Sequence, residues 1–122
     1  MDKENVNIGI VGLGFMAVMH IRAYRQVKGA NIAAICNPSG NRLNGDFSDV
    51  FGNLDSGDPV KLDMDQVKPY QNFQELLNDK AIDVIDICSP THTHLQLAKA
   101  ALASGKHVIC EKPFARTLKD AQ

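Results

Sequence analysis

The sequence predicts an α/β domain built on a doubly wound, mostly parallel sheet. Three observations point there. The apolar runs are short and nearly continuous, helix-forming stretches separate them, and a glycine turn joins the first run to the first such stretch. Near-continuous apolarity marks strands covered on both faces, and parallel neighbours need crossover helices between them.

Residues 7–12 (NIGIVG) read as a buried strand ending in glycine. Residues 15–28 (FMAVMHIRAYRQVK) are good helix formers, closed by Gly29. Residues 31–36 (NIAAIC) form the second strand. Residues 37–68 break the rhythm, being rich in Asn, Asp, Gly, Ser and Pro with little periodicity. An irregular segment is expected there, with at most a helical turn near Ser48 to Phe51 and only a short strand before Lys68 to Tyr70. Residues 73–79 (FQELLND) predict a short helix, and residues 82–88 (IDVIDIC) a third clear strand. Residues 92–104 predict a helix with Leu95, Ala98 and Leu102 on one face, Leu97 and Ala101 beside them, and Gly105 as its stop. Residues 107–111 (HVICE) complete the series as a strand. Thr117 is placed as a helix N-cap with Asp120 as its capping-box acid. That helix reaches only Gln122, which implies a chain cut off before further structure.

The 122 residues fit one domain, and 44% hydrophobic with 22% charged content is ordinary for a folded globular chain. A net charge of −1 without a basic stripe argues against nucleic acid and anionic membrane as partners. The charged start, Met-Asp-Lys-Glu-Asn, is not a secretory leader, and the apolar run from Ile8 to Met19 holds three glycines and is too short to span a bilayer. Cys36, Cys88 and Cys110 each end a strand-like run. They read as reduced, buried structural thiols with no zinc or disulfide spacing, and a cytoplasmic location is expected.

Residues 12–17 (GLGFMA) match G-x-G-x-x-A between a strand and a helix. The pattern is weak alone and strong in that context. Gly12 permits the tight turn, Gly14 lets backbone approach a pyrophosphate, and Ala17 allows close helix–strand packing. The free N–H groups of the first helical turn would then face the phosphates. The same fingerprint expects an acid at the end of the second strand to hold a ribose. Asn37 stands there instead. It keeps hydrogen bonding but lacks the charge that repels a 2′-phosphate, which Arg42 and Ser39 are placed to meet. NAD and NADP are thus both open, as is a merely solvated Arg42.

Two further loops follow strands on the same edge: Ser-Pro-Thr-His-Thr-His at 89–94 and Glu-Lys-Pro at 111–113. Ligands of open α/β sheets bind along that edge. From IGIVGLGFMAVMH through ICSPTHTHLQLAKAALASGKHVICEKP, the chain resembles the glucose–fructose oxidoreductase / inositol dehydrogenase (Gfo/Idh/MocA) family. The resemblance implies a Rossmann-fold NAD(P)-binding domain over residues 1–122, truncated before a second α/β domain that carries the substrate pocket. It implies an oxidoreductase of sugars, inositols or related polyols, homo-oligomeric at full length. Gly12, Gly14, Phe15 and Met16 match the pyrophosphate turn, and Asn37 the ribose position. Ser89, Pro90, Thr91 and His94 match the loop beside the nicotinamide-side ribose, and Glu111 and Lys112 the cofactor and catalytic pair. Pro113 resembles the family's usually cis proline.

Moving a hydride to or from an alcohol carbon needs a group that takes or gives the hydroxyl proton, and Lys112 is the candidate. Its amine must fall from about 10.4 toward roughly 7–8, which burial and a nearby positive charge favour. Glu111 suits a ribose-binding or orienting role. His92 and His94 do not share a face well and lack a third ligand, so no metal is expected. His94 reads as a hydrogen-bonding loop residue, His92 as exposed, His20 as a packed, satisfied histidine, and His107 carries no assignment. A non-catalytic dinucleotide sensor is the alternative, and a cleft-facing Lys112 argues against it.

Overall fold

The computed structural model describes residues 5–50 and 60–110. Strands β1 (Val6–Val11), β2 (Ala30–Cys36), β3 (Lys68–Tyr70), β4 (Val84–Ile87) and β5 (His107–Cys110) form one sheet in the order β3-β2-β1-β4-β5. All four pairings are parallel. Helices α1 (Phe15–Tyr24), α2 (Phe73–Leu77) and α3 (His94–Ala103) lie between strands. Strand order reverses between β1 and β4, where an open α/β sheet leaves a crevice at its carboxyl edge.

The two-residue period of the strands divides the core. Ile8 and Ile10 of β1 and Val84 of β4 pack with Ala17, Val18 and Ile21 of α1. Val11, Ile85 and Ile87 point the other way, toward Leu76 and Leu77 of α2 and Ala98 and Ala101 of α3. Each large side chain so buried contributes roughly 1.5–3 kcal/mol. Helices on both faces explain why the strands lack polar alternation.

Among the described residues the expected elements are present with shifted ends, and the helix expected from Thr117 with Asp120 lies outside them. Helix α1 stops at Tyr24, four residues before Lys28, and a turn carries the chain to Gly29 at φ +92°. On α3 the buried residues are His94, Ala98 and Ala101, whereas Leu102 is 59% exposed. The face through Leu95 and Leu102 is therefore corrected by one position, to the row where small alanines let the helix lie close to the sheet. Cys36 is buried, but Cys88 and Cys110 are only half-buried, because the ends of β4 and β5 open toward the sheet edge.

The described parts of the segment after β2 are irregular, as expected, with turns at Asn37–Gly40, Arg42–Gly45 and Phe47–Val50 and an antiparallel bridge between Asp46 and Lys61. Phe51 lies outside the described residues. The sequence reading missed what this segment buries. Phe47, Val50, Val60 and Val67 join the α1-side core. Phe47 is fully buried, so side chains on irregular backbone complete the core on the sheet face that α1 covers.

Candidate functional site

The carboxyl ends of β1, β2 and β4 meet at Gly12. Its N–H donates to the Cys36 carbonyl at 2.9 Å, and the Cys88 N–H donates to the neighbouring Val11 carbonyl at 2.8 Å. Gly12 has φ +87°, and a Cβ there would stand 2.6 Å from the Ser89 nitrogen. Glycine is required on both counts. Two residues on, Gly14 is the N-cap of α1 and offers no side-chain cap to the helix. A Cβ on Gly14 would meet nothing within 4 Å. Open room therefore lies directly before the uncapped N–H groups of the first turn, the geometry in which an anion is held by backbone and helix dipole.

That room is part of a cleft of about 690 Å³ along the carboxyl edge. It brings together Gly12, Gly14, Phe15 and Met16 from the glycine turn, Asn37, Ser39 and Arg42 from the end of β2, and Ser89, Pro90, Thr91 and His94 after β4. Leu13, Phe73 and Leu97 add apolar wall that the sequence did not single out. Glu111, Lys112 and Pro113 lie outside the described residues.

At the β2 side, Asn37 lines the cleft and its side chain donates to the Asn41 carbonyl at 2.8 Å. Arg42 occupies a left-handed backbone position, φ 62°. Its Nη1 donates to the Leu13 carbonyl at 2.9 Å, tying this loop to the glycine turn. Its Nε and Nη2 donate to the two carboxylate oxygens of Asp49 at 2.9 and 3.1 Å. The hydrogen bonds from Arg42 hold the Asp49 carboxyl below its ordinary range.

The loop after β4 is fastened internally. Ser89 Oγ and Thr93 Oγ1 are 2.6 Å apart, and Thr93 Oγ1 donates to the Pro90 carbonyl at 2.6 Å. His94 is buried, and its Nε2–H donates to the Ser89 carbonyl at 2.9 Å. Its imidazole thus holds the loop as well as lining the cleft. His92 is exposed.

Beneath the glycine turn lies a polar cluster that the sequence reading did not assemble. Asp86 of β4 is fully buried and accepts from His20 Nδ1–H at 2.6 Å, from the Tyr24 hydroxyl, and from the Cys88 thiol at 3.5 Å. His20 is accordingly satisfied, as expected. The alternation of β4 could have exposed this, since an acid inside an otherwise apolar strand needs partners on the facing helix. The ligand atoms of His20, Asp86 and Cys88 lie within 4.8 Å of one another, a grouping of metal-ligand type. Here they engage each other directly.

A glycine turn at a helix start, opposed by polar loops across the reversal point of a parallel sheet, defines a dinucleotide-binding α/β domain of the Rossmann type. Residues 6–122 match the oxidoreductase family with an NAD-binding Rossmann fold, Gfo/Idh/MocA, and the chain belongs to that family. It is 33% identical over its whole length to a D-apiose dehydrogenase of Rhizobium rhizogenes, covering 31% of that protein. It is 34% identical over 94% of its length to an inositol 2-dehydrogenase of Saccharopolyspora erythraea, again covering 31%. Among solved structures, an NAD-binding oxidoreductase from Klebsiella pneumoniae superposes with TM-score 0.73 at 33% identity, over 98% of this chain and 30% of that one. A scyllo-inositol dehydrogenase from Lactobacillus casei, solved with NAD(H) and scyllo-inositol, gives 0.70 at 27% identity, over 95% and 30%. The chain thus spans about a third of the length of these relatives. No described helix is long and apolar enough to cross a membrane.

Proposed function

We propose that residues 1–122 are the NAD(P)-binding domain of an oxidoreductase that moves a hydride between a nicotinamide cofactor and a sugar, inositol or related polyol. The observation that carries this is the open cradle at Gly14, facing uncapped helical N–H groups inside a cleft shared with the 89–94 loop. The cleft residues suit the cofactor's parts. The first turn of α1, with Gly12, Gly14, Phe15 and Met16, receives the pyrophosphate. Asn37 and Ser39 accept and donate at the adenosine ribose, with Arg42 beside them. Ser89, Pro90, Thr91 and His94 flank the nicotinamide side.

When bound, the nicotinamide accepts or supplies the hydride. Lys112 takes the proton of the substrate hydroxyl in oxidation and returns it in reduction, and Glu111 orients the ribose or the amine. The substrate pocket belongs to a second α/β domain of the full-length protein. That protein is read as a cytoplasmic homo-oligomer acting on a small molecule, without nucleic acid or membrane as partner. The thiols of Cys36, Cys88 and Cys110 suit a reducing compartment.

Calorimetric titration with NADH and NADPH tests the binding claim: heat of binding by either supports it, and none at millimolar concentration removes it. In the full-length protein, Lys112→Ala is expected to abolish turnover while keeping cofactor affinity. Unchanged turnover would assign the proton transfer elsewhere.

A further inference from the structure

We infer that Asp49 sets the choice of dinucleotide, holding Arg42 in a latch that favours NAD(H) over NADP(H). This rests on the dinucleotide reading above and deepens it. Asn37 leaves the end of β2 without the acid that ordinarily excludes a 2′-phosphate, and Arg42 lines the same cleft end. By residue type alone that combination leaves NADP as open as NAD.

The geometry tips the balance toward NAD. Of the five N–H donors of a guanidinium, three are already committed: two in a fork on the Asp49 carboxylate and one on the Leu13 carbonyl. The bidentate carboxylate occupies the Nε/Nη2 edge, one of the two edges with which arginine grips a phosphate, and the Leu13 carbonyl takes a donor from Nη1. The arginine's charge is also neutralised, and Asp46 adds a second carboxylate close enough to act on Asp49. Lys61 is the cation that offsets Asp46. An incoming 2′-phosphate would have to displace Asp49 or meet its negative charge. A 2′-hydroxyl faces neither penalty and finds the Asn37 side chain. The acid missing from position 37 is in effect supplied from position 49, through the arginine.

The pair is half-exposed on the Arg42 side and open on the Asp49 side, so its contribution to folding is small. Its consequence is for selectivity, where repulsion of the wrong ligand counts as much as attraction of the right one.

The test is calorimetric titration of NADH and NADPH, at fixed ionic strength, into the protein and its Asp49→Asn and Asp49→Glu variants, with circular dichroism to check folding. NADH is expected to bind at least about tenfold more tightly than NADPH, the scale of one charge-assisted contact. Asp49→Asn should narrow that ratio by about fivefold or more, through tighter NADPH binding, while Asp49→Glu keeps the preference. Equal or tighter NADPH binding by the unmodified protein, or an unchanged ratio in Asp49→Asn, overturns the latch and leaves dinucleotide binding standing. Binding of neither nucleotide overturns both. Where a variant does not fold, the unmodified protein's ratio decides.

Discussion

His20 Nδ1 on α1 lies 2.6 Å from Oδ2 of Asp86 on β4, and that carboxylate is fully buried. The contact joins the helix that follows the glycine turn to the strand that carries the 89–94 loop. A buried carboxylate is tolerated only with its lone pairs occupied, and Tyr24 and Cys88 complete the set. Removing it takes a shared acceptor from three half-buried donors at once. Asp86→Ala is expected to lower unfolding free energy by about 2–4 kcal/mol, with Asp86→Asn losing less. Urea denaturation measures both, and a loss under about 1 kcal/mol for the alanine variant would show that the cluster holds nothing together.

The two glycines of the turn should fail differently. A Cβ at Gly12 would collide with Ser89 backbone at 2.6 Å on a φ of +87°. Gly12→Ala is therefore expected to cost about 2 kcal/mol or more of stability. A Cβ at Gly14 meets only open space, so Gly14→Ala should keep the melting temperature within a few degrees yet weaken NADH binding by about tenfold or more. Thermal melts beside calorimetric titration separate the two. Tight NADH binding by Gly14→Ala would place the pyrophosphate elsewhere.

Tyr70 and Asp79 couple stability to pH at both extremes. The Tyr70 hydroxyl donates to Asp79 at 2.8 Å; burial, then this bond to the carboxylate, pushes the phenol up to about 12 from 10.0. A raised folded value gives stability that is complete below pH 10 and lost as pH climbs toward 12. For Asp79, burial pushes upward but is outweighed by hydrogen bonds from Tyr70 and Ala81 and by the charges of Lys68 and Lys106. Its folded value falls below 3.8, so its contribution is complete above that pH and lost on further acidification. Tyr70→Phe should cost about 1 kcal/mol at pH 7 and flatten the fall between pH 10 and 12. Chemical denaturation across that range is the check. An alkaline limb identical to that of the unmodified protein would assign it to another group.

Lys106 is buried, with Nζ donating to the Asp79 carbonyl at 2.9 Å and the Ile82 carbonyl at 2.7 Å. It caps the turn that leads into β4 from the far end of the sheet. Lys106→Met keeps the stem and removes both bonds. A loss of about 1–3 kcal/mol is expected, with NADH affinity nearly unchanged because the site lies at the other edge. A large fall in affinity would mean that this end of the sheet communicates with the cleft.

Local signals placed most of the sheet. The runs around Ile10, Ile35 and Ile85 are apolar because both faces of their strands are covered, and such runs are visible one segment at a time. Gly12 and Gly14 were legible for the same reason, since turn chemistry and helix start are neighbours in sequence. Leu102 misled because spacing gives the period of a helix but not the direction from which the sheet approaches. Phe47 was not legible at all. Its segment has no period, and it is buried in the core that α1 forms with the sheet.

By itself the sequence determined the fold class, the element order and the residues of the glycine turn and the 89–94 loop, because each depends on contacts within a few residues. Only the tertiary structure decided what Asp86 and Arg42 touch. Their partners stand far away in the chain, at His20 and Leu13, or across a segment without periodicity, at Asp49. A hydrogen bond over such separations is fixed by how the strands stack and by which loop folds back, and no residue pattern records that.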